Sequence, residues 1–291
     1  MILITGASGR IGRRAAELLH AEGQPLRLMS RNRRLSVEMS GVEVVFGDFE
    51  DEASLREPFK GISTALIISG MALPGKRALT HRNTFRAAAN AGVEHIVYLS
   101  LRGSSPTSLF PYCRDHFTSE EFLVEVKVPY TSLRIGFYMD MFLDKIDAKG
   151  VLRGPAGEHP GAFLSREDAA QAAAQAAIRQ PGGRPEITGP ELLSFEDVAR
   201  ELSLATGKQL QYEDETYEDM RLRLSHAGLP EWVQELEVSW REAFAAGEQA
   251  PVTDGFNRLV GHAPLTLLEY FSRFPALTKN LAVDAPPLKP S

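Results

Sequence analysis

The 291 residues, 43% of them hydrophobic, can bury one large core or two modest ones, and a net charge of −6 leaves no basic surplus for the counterion release on which nucleic-acid affinity depends. Nucleic acid is therefore not the expected partner. The lone Cys113 excludes an internal disulfide, the chain opens on a strand-like run and not a charged leader, and no apolar stretch is long enough to span a bilayer, so a soluble cytoplasmic protein is expected.

Short apolar runs at 1–5, 26–30, 43–46, 63–69, 95–100 and 130–135 alternate with amphipathic stretches near 11–22, 52–59, 81–91 and 114–127. This is the pattern of β-α-β units, and right-handed crossovers would put helices on both faces of a parallel sheet. Asp51 and Glu52 supply early acidic residues for the second helix. Beyond Arg134 the regularity decays. RGPAGEHPG at 153–161 is turn-rich, and SREDAAQAAAQAAI reads as an alanine-rich helix capped by Ser165 that can pack closely on the sheet. Ser194 to Asp197 forms a second capping pattern, for a helix that Gly207 closes.

Three later stretches, TYEDMRLRLSHAGLP, PEWVQELEVSWREAFAAG and PLTLLEYFSRF, are helical in period. Trp232, Trp240 and Phe244 recur at helical spacing and read as lobe packing, while YEDETYED at 212–219 reads as a solvated surface and helix start. The tail from Asn280 to Ser291, with three prolines, is expected to be loose.

MILITGASGRIGRRAAELL joins an apolar strand to a helix through glycines 6, 9 and 12. Gly6 can turn out of the strand, Gly9 admits the backbone to a pyrophosphate, and Gly12 permits close helix packing. Free N–H groups from Ser8 to Gly12, including Ile11, would receive the anion. The expected fold is thus α/β: a Rossmann doubly wound parallel sheet over 1–135, and a smaller, mostly helical substrate-side lobe over 136–279 with some strands returning to the main sheet.

Arg10, inside the loop, is the phosphate candidate; Arg14 is expected to extend into solvent. In LRLMSRNRR the second strand ends on Ser30 and Arg31, with Arg33 and Arg34 behind, where an NAD site would carry a carboxylate. Guanidinium groups suit a 2′-phosphate, so NADP(H) is expected over NAD(H). Asp48 can accept from the adenine amino group with Phe49 lining its face, or it can cap the next helix. The seven histidines are scattered, and no metal is expected.

Several motifs then occur in register: ITGASGRIG, SRN at 30–32, GDFED at 47–51, LIISG at 66–70, HRNTFRAAANAGVEHIVYLSL at 81–101 and LRIGFYMD at 133–140. Over nearly the whole length the chain resembles the NmrA-like atypical short-chain dehydrogenase/reductases, particularly their NAD(P)H:quinone oxidoreductase and triphenylmethane-reductase-like members. The resemblance implies cofactor contacts from Arg31, Asp48, Phe49, Ser69, Gly70, Met71, Gly136, Phe137 and Tyr138. It also implies a departure from conventional relatives, whose Tyr-x-x-x-Lys pair lowers a phenol pKa. Here Tyr112 is followed four residues on by His116. Asp115, His116 and Glu120 fit the pattern of the quinone-reductase-like members, but Glu121 stands where they have lysine, which puts a lysine-dependent role such as holding the ribose in doubt.

His116 is the first candidate for proton donor or substrate hydrogen bonding and Tyr138 the second; a purely structural His116 and simple packing for Tyr112 are the plain alternatives. Cys113 lacks an activating base and reads as an ordinary thiol. The implied activity is NADPH-dependent hydride transfer, without flavin, to a small electron-poor acceptor such as a quinone. The competing function is an NAD(P)-sensing regulator with a protein partner, and oligomeric state, homodimer included, is left open. Arg31→Ala is expected to raise the Kd for NADPH far more than that for NADH in a fluorescence titration; equal losses would remove Arg31 from the 2′-phosphate site.

Overall fold

The apolar runs assemble side by side. The computed structural model describes residues 1–32, 39–70, 72–155, 157–279 and 281, so that Arg33, Arg34, Met71, Asn280 and 282–291 lie outside the described residues. The first half holds β1 (Ile2–Ile4), α1 (Arg10–Ala21), β2 (Leu26–Ser30), β3 (Glu43–Phe46), β4 (Thr64–Ile67), α2 (Arg77–Asn90), β5 (His95–Leu101), α3 (Pro111–Glu125) and β6 (Tyr130–Ile135). The second half holds β7 (Val151–Arg153), α4 (Arg166–Arg179), β8 (Glu186–Ile187), α5 (Phe195–Thr206), β9 (Gln211–Glu213), α6 (Tyr217–His226), α7 (Glu231–Ala245), α8 (Gly255–Val260) and α9 (Leu267–Arg273). No helix among the described residues is long and apolar enough to cross a membrane.

Seven strands form one parallel sheet in the order β3-β2-β1-β4-β5-β6-β8. Alternation along each strand feeds two cores. Ile2 and Ile4 join the face covered by α1 and α4, whereas Leu3 joins Met29, Phe59 and Phe85 under α2 and α3. The expected close packing of the alanine-rich segment is borne out: Ala169, Ala173 and Ala176 of α4 are fully buried, and the small side chains let the helix lie directly on α1 and the central strands. Its cap is Ser165, which accepts the Asp168 amide; Ser194 and Asp197 form the anticipated capping box, and Gly207 ends α5 at φ 68°.

Local details differ from the sequence reading. The stretch near 52–59 is only a 3₁₀ turn, Glu52–Leu55, capped by Asp51, because Pro58 disfavours helical backbone at Glu57 and has no N–H to continue the ladder. Helix α3 starts earlier than expected, at Pro111, whose fixed φ suits the first helical position. β7 pairs with β9 in a separate two-stranded parallel sheet, so Tyr212 and Glu213 of the acidic stretch lie in a strand, while Thr216 caps α6. Trp240 and Phe244 enter an aromatic core with Phe137, Phe163 and Phe195. Trp232 does not: it sits in the first turn of α7, beyond that core, and is 46% exposed.

Glu120 joins α3 to the sheet. Fully buried, it accepts hydrogen bonds from Ser100 (2.7 Å) on β5 and Ser132 (2.8 Å) on β6, and pairs with both ends of the Arg134 guanidinium at 3.0 and 2.6 Å. Its neighbour Glu121 is exposed and touches only Arg184, at 3.3 Å. Removing one member of a buried ion pair strands the other, so Glu120→Ala is expected to destabilise the fold by about 3–5 kcal/mol in urea unfolding. Glu121→Ala should stay within about 0.5 kcal/mol of wild type.

Candidate active site

The chain leaves β1 towards β2 on one side and reaches β4 on the other, so a crevice opens at the carboxyl ends of these strands. Thr5 closes its floor: the hydroxyl accepts the Ile68 amide at 2.9 Å and donates to the Ile68 carbonyl at 3.1 Å. Above it, a Cβ on Gly12 would sit 2.4 Å from the Gly6 carbonyl oxygen, which is why only glycine lets α1 begin this close to the loop. Gly9 is exposed, and its Cβ direction meets only the Gly6 carbonyl, at 3.3 Å. The loop is thus open towards the cleft, as a backbone cradle for an anion must be.

Every expected site residue that the structure describes lines one cleft of about 1190 Å³: the loop from Gly6 to Gly12, Arg31, Asp48, Phe49, Ser69, Gly70, His116, Gly136, Phe137 and Tyr138. Met71 lies outside the described residues. Arg31 is exposed at the cleft near Gly70 and makes no ion pair with a described residue, so its charge is available to a ligand. Asp48 is not the helix cap; Asp51 is, and the Asp48 carboxylate accepts the Glu50 amide at 3.1 Å. Phe49 packs beside it against the α2 side of the sheet.

Two arginines take unexpected partners. Arg10 contacts the buried carboxylate of Asp140, which Arg166 also grips at 2.7 and 2.8 Å. Two guanidinium groups on one carboxylate leave a net positive charge at the loop. Arg14 does not extend freely into solvent; Glu167, in the first turn of α4, holds it through three hydrogen bonds of 2.8 to 3.0 Å.

α3 meets the loop that follows β4, and there the YCRDH segment acts as a clamp. Tyr112 donates to the Ala72 carbonyl at 3.0 Å, and Asp115 accepts the Gly75 amide on both oxygens at 3.0 Å. His116 is buried, with Nδ1 2.6 Å from the Tyr98 hydroxyl and Nε2 3.4 Å from Arg77 Nη1. Arginine has no lone pair to offer, so the second contact is a hydrogen bond only when Nε2 is bare; the proton then sits on Nδ1 and is donated to Tyr98. The Tyr98 hydroxyl in turn lies 3.0 Å from His81 Nδ1. Burial, then the charge of Arg77, holds His116 well below its ordinary pKa of 6.5 and His81 down to about 3. Burial and Arg77 thus favour a neutral imidazole, with Nδ1 turned to Tyr98 in the interior and Nε2 to Arg77.

Tyr138 keeps its proton, since burial pushes its pKa up to about 12, and its hydroxyl bonds to no described residue; Arg166 stacks 4.2 Å from the ring. Cys113 is buried, with its pKa also pushed up to about 12, and donates to the Arg102 carbonyl, as an ordinary thiol would. Glu121 is absent from the cleft wall.

Beyond Phe137 the cleft is lined by Met141, Met220, Leu224, Val233 and Trp240 together with charged residues that include Asp144, Arg153 and Arg223. The helical periodicities of α6 and α7 gave no sign of a charge clamp there, but folding sets Lys145 (2.7 Å) and Arg241 (3.2 Å) on Glu237 at its edge. Also missed were Arg77, His81 and Tyr98. The one available signal was their spacing: Arg77 and His81 are one helical turn apart, and His81 opens the HRN motif.

A family model described as NAD(P)H-binding matches residues 6–180. Quinone oxidoreductase 2 of Escherichia coli (strain K12) is 31% identical over 94% of this chain and 98% of its own. The chain belongs to the NAD(P)H-binding family. NAD(P)H azoreductase of Xenophilus azovorans is 27% identical over 93% of this chain and 96% of its own. Among solved structures, the Escherichia coli NADPH-dependent quinone oxidoreductase complexed with NADPH superposes with a TM-score of 0.86, at 30% identity, covering 94% of this chain and 99% of that one. The Citrobacter sp. triphenylmethane reductase complexed with NADP(H) gives 0.81 at 27% identity, covering 94% and 98%. The expected kinship and the Rossmann fold are thereby borne out.

The buried histidines carry a pH signature for this family member. Unfolded histidines take up protons near 6.5, whereas His81 resists to about 3 and His116 to well below 6.5, so the unfolded chain binds more protons in between. Their contribution to stability is complete above about 6.5 and is lost as pH falls through that window. Thermal unfolding between pH 7 and 5 is expected to show Tm falling, with a shallower fall in His116→Asn; an unchanged slope would count against the buried neutral histidine.

Proposed function

We propose that this chain is a cytoplasmic NADPH-dependent oxidoreductase that passes hydride directly, without flavin, to a quinone or similar electron-poor acceptor. The observation that carries the reading is the continuity of one cleft from the glycine loop and Arg31, which makes no ion pair with a described residue, to the Met141, Met220, Leu224 and Trp240 surface beyond Phe137. The residues present fit the cofactor: loop amides for the pyrophosphate, Arg31 for the 2′-phosphate, Asp48 and Phe49 for adenine, and Ser69, Gly70, Gly136 and Phe137 for the nicotinamide end. When bound, NADPH supplies the hydride. In this reading residues 1–135 hold the cofactor and 136–279 form the acceptor side.

The chain's own task is to exclude water and orient a flat, conjugated acceptor, for which Met141, Met220, Leu224 and Trp240 offer apolar and aromatic surface. Such an acceptor takes its proton late, from water or a weak acid, so a neutral His116 is no obstacle. Tyr138, protonated and with a hydroxyl that hydrogen-bonds no described residue, is the group that can donate a hydrogen bond to it. The names of the relatives, reductases of quinones, azo compounds and triphenylmethanes, support acceptors of this kind.

Stopped-flow measurement of NADPH and NADH oxidation against quinones, azo dyes, triphenylmethane dyes and aldehydes tests the reading. Turnover is expected with the first three classes, faster with NADPH, and Tyr138→Phe should lower kcat/KM by about 10-fold while leaving NADPH binding intact. Tight NADPH binding with no turnover on any acceptor would favour a dinucleotide-sensing role instead.

A further inference from the structure

Arg77 breaks two rules at once. It occupies the first position of a 14-residue helix, where a cation opposes the helix dipole, and it is only 7% exposed. Buried charges are ordinarily paired, yet Arg77 makes no ion pair with any described residue. Nη1 donates to Ser69 Oγ at 3.1 Å and to the neutral His116 at 3.4 Å, and the guanidinium lies 4.2 Å from the centre of the Tyr112 ring. Nε is buried with no hydrogen-bond partner among the described residues. Asp115, the carboxylate in its neighbourhood, has both oxygens on the Gly75 amide. Every group in direct contact with Arg77 is therefore neutral; Asp115 acts on it only through space, and no carboxylate among the described residues forms an ion pair with it.

That charge lines the cleft beside Ser69, and its field reaches Tyr138. We propose that Arg77 makes this end of the cleft an anion subsite for the reduced acceptor, stabilising the negative charge that appears on the acceptor oxygen as hydride arrives. The proposal rests on the reductase reading. Hydride addition to a quinone consumes one hydride, oxidises the dinucleotide and leaves a hydroquinone monoanion whose extra electron pair resides on oxygen; a proton from water completes the hydroquinone. Arg77 stays protonated throughout and transfers nothing. A fixed cation in a site shielded from water stabilises such a charge more than it would in solution, because no solvent has to reorient around it. The bound anion would also complete the unpaired Nε and relieve the conflict at the head of α2.

The test uses 4-nitrophenol as a stand-in for the monoanion, titrated spectroscopically on the full-length protein with NADP⁺. Wild type is expected to lower the bound phenol's pKa by about one unit or more, Arg77→Gln to abolish the shift, and Arg77→Lys to keep part of it. Failure of wild type to bind the phenolate, or an equal shift in Arg77→Gln, overturns the proposal. In single-turnover reduction of a quinone at saturating NADPH, Arg77→Gln is expected to be slower by ~10²-fold at unchanged NADPH Kd, with partial rescue by added guanidinium. A variant that binds NADPH poorly but transfers hydride normally at saturation would assign Arg77 to the cofactor and overturn the proposal as well. Circular dichroism of both variants checks the fold, and Arg77→Lys carries the measurement if Arg77→Gln does not fold. An Arg77-dependent phenolate shift in a protein that oxidises no NADPH would refute the reductase reading and leave the anion subsite standing.

Discussion

The crevice beside β1 is the constraint from which the site follows. With β2 on one side and β4 on the other, the connections leave in opposite directions, and no backbone fills the space at the strand ends. The Thr5 hydroxyl ties the two exits together at the Ile68 peptide. Gly12 lets α1 start against the Gly6 carbonyl, so that its first amides open on the gap. Into this crevice the fold delivers positive charge from three directions: Arg10 with Arg166 on Asp140, Arg31 from the end of β2, and Arg77 from the head of α2. A chain with a net charge of −6 thus presents a locally cationic cleft, as an anionic dinucleotide requires.

The segment around Tyr112 and His116 gains its meaning from this arrangement. In a conventional dehydrogenase a lysine one turn after the tyrosine supplies the cation. Here the cation comes from another helix, with Arg77 stacked on the Tyr112 ring, while the tyrosine hydroxyl is committed to the Ala72 carbonyl. Tyr112, Asp115 and His116 hold the β4–α2 loop and the arginine in place. Glu120, one turn further along the same face and outside the cleft wall, fastens α3 to β5 and β6. One helix face therefore carries both the scaffold and the positioning of the charge.

Much of the fold was legible in the residues because it rests on local physics. Strand and helix periods, the Ser165 cap, the Ser194 to Asp197 box and the glycine loop all arise from bonds or contacts within a few residues. The failures were local as well where a competing signal was underweighted: Pro58 stops the turn after Asp51, and Pro111 starts α3 a turn early. The β7 and β9 strands, each three residues long, were invisible because a pairing about sixty residues apart in the chain leaves no periodic trace.

By itself, the sequence determined the alternation of strands and helices, the glycine loop and the arginine just after β2, since each depends on residue type and short-range spacing. The tertiary structure alone decided what the charged side chains do. Arg14 meets Glu167 across 153 positions and Arg10 meets Asp140 across 130. Arg77 is left without an ion pair among the described residues because the groups that touch it from α3 and the β4–α2 loop are neutral, while the nearby Asp115 carboxylate is turned to the Gly75 amide. Electrostatic partnership acts through space and is indifferent to distance along the chain, which is why the glycine-loop end of this cleft could be read from the sequence while the Arg77 end had to be seen folded.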